Sequence, residues 1–110
     1  MQADFVLDPV AGGGSGVRLR VSGELDLYTA PLLTEAVHNQ ARAGRRVVVD
    51  LEKVSFMDST GVSALIGVIQ DAGRNGWELA VARRLSPEVS RVMHLSGLQP
   101  LLDSIATDDA

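Results

Sequence analysis

The stretch from Val47 to Ile69, VVVDLEKVSFMDSTGVSALIGVI, limits the possible folds more than any other part of the chain. It opens on Val47-Val48-Val49, with Asp50 and Leu51 behind them. A β-branched run of this kind suits a strand covered on both faces, as in a parallel sheet. Glu52 to Met57 follows neither period two nor period 3.6 and reads as a loop. Asp58, Ser59 and Thr60 are all helix-capping residue types, because a short side-chain oxygen accepts from a backbone N–H left open in the first turn. A helix is therefore expected from about Ser59 to Gly73, with Val62, Leu65, Ile66, Ile69 and Ala72 on one face. Gly61, Ser63, Ala64, Gly67 and Val68 widen that face with small residues, which let a neighbour approach closely. A helix N-terminus has open N–H groups and a partial positive charge, so Ser59 is a hydroxyl placed where a phosphate would be held if one were attached.

The segments on either side repeat the alternation of strand and helix. Phe5-Val6-Leu7 predicts a short edge strand that Pro9 ends or bends. The run Ala11 to Gly16 predicts the hairpin loop to a second strand, Val17 to Val21, where apolar and charged residues alternate. Gly23-Glu24-Leu25-Asp26 is read as leaving the sheet. A helix then starts at Tyr28 or Thr29, with Pro31 in its first turn, Leu32, Leu33, Ala36, Val37 and Ala41 toward the sheet, and Gly44 at its end. Asn75-Gly76 is a turn, and Trp77 to Val81 a further strand. Ser86-Pro87-Glu88 starts another helix, with Val89, Val92 and Met93 inward and Gly97 as its stop. Leu101-Leu102 suggests a short last strand, and Thr107 to Ala110 a frayed end. The fold class is α/β: a small mixed sheet, with a parallel core and an antiparallel N-terminal edge, packed against helices.

Composition narrows the function classes. A chain of 110 residues, 1–110, reads as one domain. Its formal net charge of -4 argues against nonspecific nucleic-acid binding. The pairs Arg45-Arg46 and Arg83-Arg84 read as solvated element ends, with an anion site as the alternative. The absence of cysteine removes disulfides, thiol catalysis and cysteine metal sites. No basic leader and no apolar run of membrane-spanning length is present, so the expected location is cytoplasmic.

Each candidate site has a plain structural reading beside the functional one. Ser59 either caps a helix or is modified. A serine-hydrolase elbow, G-x-S-x-G, needs glycine where Met57 stands, and neither His38 nor His94 belongs to a recognisable pair motif. Asp58 alone is a poor metal site, and no cofactor is expected. The glycines at 12–16 precede a strand and lack the lysine of a phosphate loop. Glu24 and Asp26 read as a solvated loop. Phe56 and Met57 read as core packing; Met57, if exposed, would be an adaptable apolar interface contact.

Three stretches carry a resemblance. FMDSTGVSAL after an apolar strand, GELD at Gly23 to Asp26 followed by Thr29-Ala30, and Leu85-Ser86-Pro87-Glu88-Val89 leading to Leu95-Ser96-Gly97-Leu98 lie in one order between about Val17 and Leu102. Together they resemble the STAS domain family, specifically its bacterial anti-sigma factor antagonists. The resemblance implies that Ser59 is the phosphorylated serine. It also implies that the unphosphorylated domain binds and sequesters an anti-sigma factor, itself an ATP-dependent serine kinase, and so frees a sigma factor. A serine phosphatase would reverse the modification. The implied partner contacts are Glu24, Asp26, Met57, Asp58, Thr60 and Gly61. On this reading the domain is not an enzyme, touches neither nucleic acid nor membrane directly, and is a monomer or weak dimer. The alternative is a regulatory or scaffold STAS domain in a signalling assembly, a class in which nucleotide binding has been proposed. Family members usually carry another helix after the last strand; none is expected here.

Overall fold

The computed structural model describes residues 2–10 and 16–108. Residues 11–15 of the expected hairpin loop and the last two residues of the expected frayed end lie outside them. The chain runs β1 (Ala3–Pro9), β2 (Val17–Leu25), α1 (Ala30–Arg42), β3 (Val47–Met57), α2 (Ser59–Asn75), β4 (Leu79–Ala82), α3 (Pro87–Leu95), α4 (Gln99–Ser104) and β5 (Ala106–Thr107). The sheet order is β1-β2-β3-β4-β5; β1 is antiparallel to β2, and the other neighbours are parallel. Successive right-handed crossovers in one direction place the helices on one face of the sheet. Accordingly Leu33 and Val37 of α1, Leu65 and Val68 of α2, Val89 and Met93 of α3 and Leu102 of α4 share one core with Leu19, Val21, Val49 and Leu51.

Strand β3 is covered on both faces, as expected, with Val47, Val48 and Val49 all buried; the second face is closed without a helix. Among the described residues, Val10, Val48 and Ala82 form a small apolar cluster there. Polar groups close the rest: Arg18 Nε donates to Asp50 Oδ2 at 2.9 Å, and Asp50 Oδ1 accepts from Glu52 N at 2.9 Å, leaving Asp50 only 4% exposed. A buried carboxylate is tolerable here because both of its oxygens have partners.

Glu52 to Met57 is strand, not loop. Two register shifts in the β2–β3 ladder, between Arg20 and Ser22 and between Gly23 and Glu24, each admit an extra β3 residue. Such bulges break the period of two. Leu51, Val54 and Met57, three apart, all turn into the same core. The same ladder keeps Gly23, Glu24 and Leu25 in β2, where they were expected to leave the sheet. Gly23 sits at φ 89°, and a Cβ there would lie 2.4 Å from the Gln2 carbonyl oxygen.

Four smaller expectations are corrected. Leu32 points outward at 48% exposure, because the buried stripe of α1 is Ala30, Leu33, Val37 and Ala41. In α2 the buried positions are Gly61, Leu65, Val68 and Ala72, with Val62 and Ile69 packed against the core as expected and Ile66 not; Ser63 is exposed, and a Cβ added at Gly67 would meet nothing within 4 Å. Leu101 and Leu102 belong to α4, with Pro100 in its first turn, and the last strand comes after it. Thr107 is paired rather than frayed: Arg83 N donates to its carbonyl at 2.9 Å, and Asp108 accepts from Arg83 Nε at 3.0 Å. Gly44, Gly76 and Gly97 stand at helix ends as expected.

Candidate functional site

Parallel pairing of β2 with β3 brings their C-terminal ends side by side, and α1 and α2 both begin there. Open α/β sheets place their sites at this end. Leu25 lies opposite Met57, and Asp58 N donates to the Leu25 carbonyl at 3.2 Å. The first turn of α2 rests on that carbonyl. A Cβ built at Gly61 would meet it at 2.8 Å, and Met57 Cγ at 3.0 Å, so only glycine lets the helix sit this close.

Asp58, not Ser59, is the N-cap. Its Oδ1 accepts from Thr60 N at 2.9 Å, Gly61 N at 3.2 Å and Thr60 Oγ1 at 2.5 Å. The Thr60 hydroxyl holds the Asp58 carboxyl below its ordinary value; partial burial pushes the other way, and the Gly61 and Thr60 N–H groups add to the lowering. Ser59 is therefore the first residue of α2, is exposed, and has a hydroxyl with no partner among the described residues. The plain reading of Ser59 as the capping residue is thereby corrected.

The turn opposite is tied by a second knot. Asp26 Oδ1 accepts from Tyr28 N at 2.9 Å and Thr29 N at 3.1 Å, while Thr29 Oγ1 accepts from Asp26 N at 3.0 Å and donates to the Glu24 carbonyl at 2.5 Å. Asp26 is thus buried at 5% rather than solvated, and its Oδ2 has no partner among the described residues. The knot leaves Leu27 and Tyr28 at the tip, 64% and 77% exposed. Neither was expected as a contact. Their neighbour pattern, an Asp three residues ahead of a Thr, is the local signal for such a turn.

Of the expected contacts, Glu24, Asp58 and Thr60 are half-exposed at this end of the sheet. Met57 and Gly61 are buried and form its floor, so neither offers a side chain to a partner. The exposed apolar group beside Met57 is Phe56, opposite Glu24 in the ladder. Between the first turns of α1 and α2 lies an open hollow of about 460 Å³, lined by Leu27, Ala30, Pro31, Ser59, Ser63 and Ala64 among others.

The histidines do not complete a nucleophilic site. His38 Nε2 meets Asp71 Oδ2 at 3.0 Å and packs edge-on to Trp77 at 5.1 Å. Asp71 lies about 18 Å along α2 from Ser59, by helical rise. His94 is exposed on α3. Among the described residues there is no cluster of metal-ligating side chains, and no helix is long and apolar enough to cross a membrane.

This arrangement has counterparts in known proteins. The family model described as STAS domain matches residues 10–108. The chain is 36% identical over 85 residues to the anti-sigma-B factor antagonist of Staphylococcus aureus (strain NCTC 8325 / PS 47), covering 76% of this chain and 78% of that protein. It is 30% identical over 93 residues to the anti-sigma-B factor antagonist of Bacillus subtilis (strain 168), covering 84% of each. The crystal structure of an anti-sigma factor antagonist from Mycobacterium paratuberculosis superposes with a TM-score of 0.74 at 26% identity, covering 91% of this chain and 82% of that one. With the mixed sheet, the capped α2 and these relatives in view, the chain belongs to the STAS domain family.

Proposed function

We propose that this protein is an anti-sigma factor antagonist, and that it acts as a binding partner and kinase substrate rather than as an enzyme. Unphosphorylated, it binds an anti-sigma factor through the end of the sheet that carries Ser59, Thr60, Glu24, Leu27, Tyr28 and Phe56, and a sigma factor is released. The anti-sigma factor is an ATP-dependent serine kinase that phosphorylates Ser59, and a serine phosphatase restores the binding form.

The observation that carries this reading is the placement of Ser59. Asp58 takes over the capping, so the Ser59 hydroxyl is left exposed and unengaged among the described residues, at a hollow that the exposed Leu27 also lines. Phosphate adds about -1.5 to -2 charges. It arrives beside the Asp58 carboxylate, whose oxygen already holds the Thr60 and Gly61 N–H groups. An interface fitted to a neutral hydroxyl has no room for it, and taking it out of water costs several kcal/mol; about 4 kcal/mol weakens binding roughly a thousandfold. The block is local and needs no refolding.

The test is intact-mass spectrometry after incubation with ATP and a candidate anti-sigma kinase, with Ser59→Ala in parallel. One added phosphate, lost in the alanine variant, is expected. Binding of the anti-sigma factor without any phosphate would refute the switch but keep the antagonist; neither binding nor phosphate would refute both.

A further inference from the structure

The hollow between α1 and α2 has a chemical setting that identifies what fits it. Its walls are apolar at Leu27, Ala30, Pro31 and Ala64, and Leu27 is largely exposed. Exposed apolar surface gathered around a concavity marks a contact site more often than scattered single residues do. No charged side chain lines it, and the charged residues next in sequence to its lining residues, Asp26, Glu35 and Asp58, are all acidic. From Gly23 to Val37, and from Ser55 to Gln70, the charged side chains are Glu24, Asp26, Glu35 and Asp58; all ten lysines and arginines lie elsewhere in the chain. An apolar hollow within an acidic surround suits an apolar side chain flanked by cations.

A second copy of this chain is a poor occupant. Meeting it by the same end, as a two-fold dimer does, would set Glu24 and Asp58 against the copy's own acidic groups.

Resting on the function proposed above, we infer that the hollow is the seat of an apolar side chain carried on a basic segment of the anti-sigma factor. Interfaces draw most of their energy from a few anchors in such pockets. Ser59 forms part of the wall, so a phosphate there fills the mouth of the seat and blocks entry of the side chain.

The described residues contain no free cysteine and the whole chain has none, so a single Ser63→Cys substitution provides a unique thiol on the wall. Attachment of a bulky maleimide fills the hollow, and the unlabelled variant, nearly isosteric with serine, controls for folding. Gln70→Cys, exposed further along α2, takes the same label away from the hollow. Binding is measured by surface plasmon resonance with the purified anti-sigma factor of the phosphorylation assay. Labelling Ser63→Cys is expected to weaken binding at least tenfold, and labelling Gln70→Cys to leave it unchanged. Glu24→Lys is expected to slow association about tenfold at low salt and to flatten its salt dependence, whereas Glu78→Lys, the same charge change on an exposed residue outside the acidic segments, is not. If the labelled Ser63→Cys protein binds like wild type, the seat is refuted while the antagonist reading stands. If Glu24→Lys and Glu78→Lys behave alike, the basic partner segment is refuted. A dimer in solution that the label at position 63 dissociates would make a second copy the occupant and overturn the inference. If wild type binds no anti-sigma factor, the functional reading falls and takes the inference with it.

Discussion

The contact between Gly61 and the end of β2 predicts opposite effects of one substitution at two glycines of the same helix. In Gly61→Ala the new methyl would stand 2.8 Å from the Leu25 carbonyl oxygen, 3.0 Å from Leu25 Cβ and 3.0 Å from Met57 Cγ. Met57 is a flexible side chain and can yield. The Leu25 carbonyl cannot yield easily, because it accepts from Asp58 N and continues the β2–β3 ladder. Overpacking of this kind costs about 1–3 kcal/mol, and a rigid neighbour puts it near the top of that range. The gain in helix propensity from glycine to alanine offsets at most about 1 kcal/mol. The expected net loss is about 2 kcal/mol. In Gly67→Ala nothing lies within 4 Å of the new methyl, so the propensity gain of about 1 kcal/mol stands alone. Urea unfolding of the three proteins should therefore spread over about 3 kcal/mol with a common m-value. The melting temperature should fall by roughly 8 °C for Gly61→Ala and rise by roughly 4 °C for Gly67→Ala. A Gly61→Ala protein as stable as wild type would refute the seating of α2 on Leu25, and with it the position of Ser59 at the mouth of the hollow.

Three further outcomes test the site and its frame. Asp58→Ala should cost about 1 kcal/mol through the lost cap. Because the folded Asp58 carboxyl is held below its ordinary value, its contribution is complete above the unfolded value near 4 and disappears as pH falls through the folded one; Asp58→Asn should flatten that acid limb in a stability–pH series. Arg18→Leu should cost about 3 kcal/mol by stranding buried Asp50, whereas Arg20→Leu, which breaks an exposed pair with Asp8, should cost less than about 1 kcal/mol; equal effects in urea titrations would contradict the burial described. Asp26 uses only Oδ1, so Asp26→Asn should keep the Tyr28 and Thr29 bonds and melt close to wild type, while Asp26→Ala should lose about 1–2 kcal/mol; calorimetry separates the two.

What the sequence determined by itself is local. An N-cap and the N–H groups that it serves are two or three residues apart, so Asp58, Ser86 with Pro87, and the terminal glycines mark helix ends without reference to the rest of the chain. The apolar periods and the alternation of strand and helix likewise lead to a mixed sheet with crossover helices. They also place Ser59 in the first turn of α2. Tertiary structure decided what depends on partners some thirty residues away. Glu52 to Met57 has no strand period of its own, because its two bulges are defined only against β2. Which of Phe56 and Met57 faces solvent follows from that shifted ladder. The burial of Asp26 depends on the packing around the β2 end, although the Asp26–Thr29 bonds that display Leu27 and Tyr28 are local. The hollow belongs to two helices whose first turns come together only when the strands pair, so no single stretch of the chain encodes it.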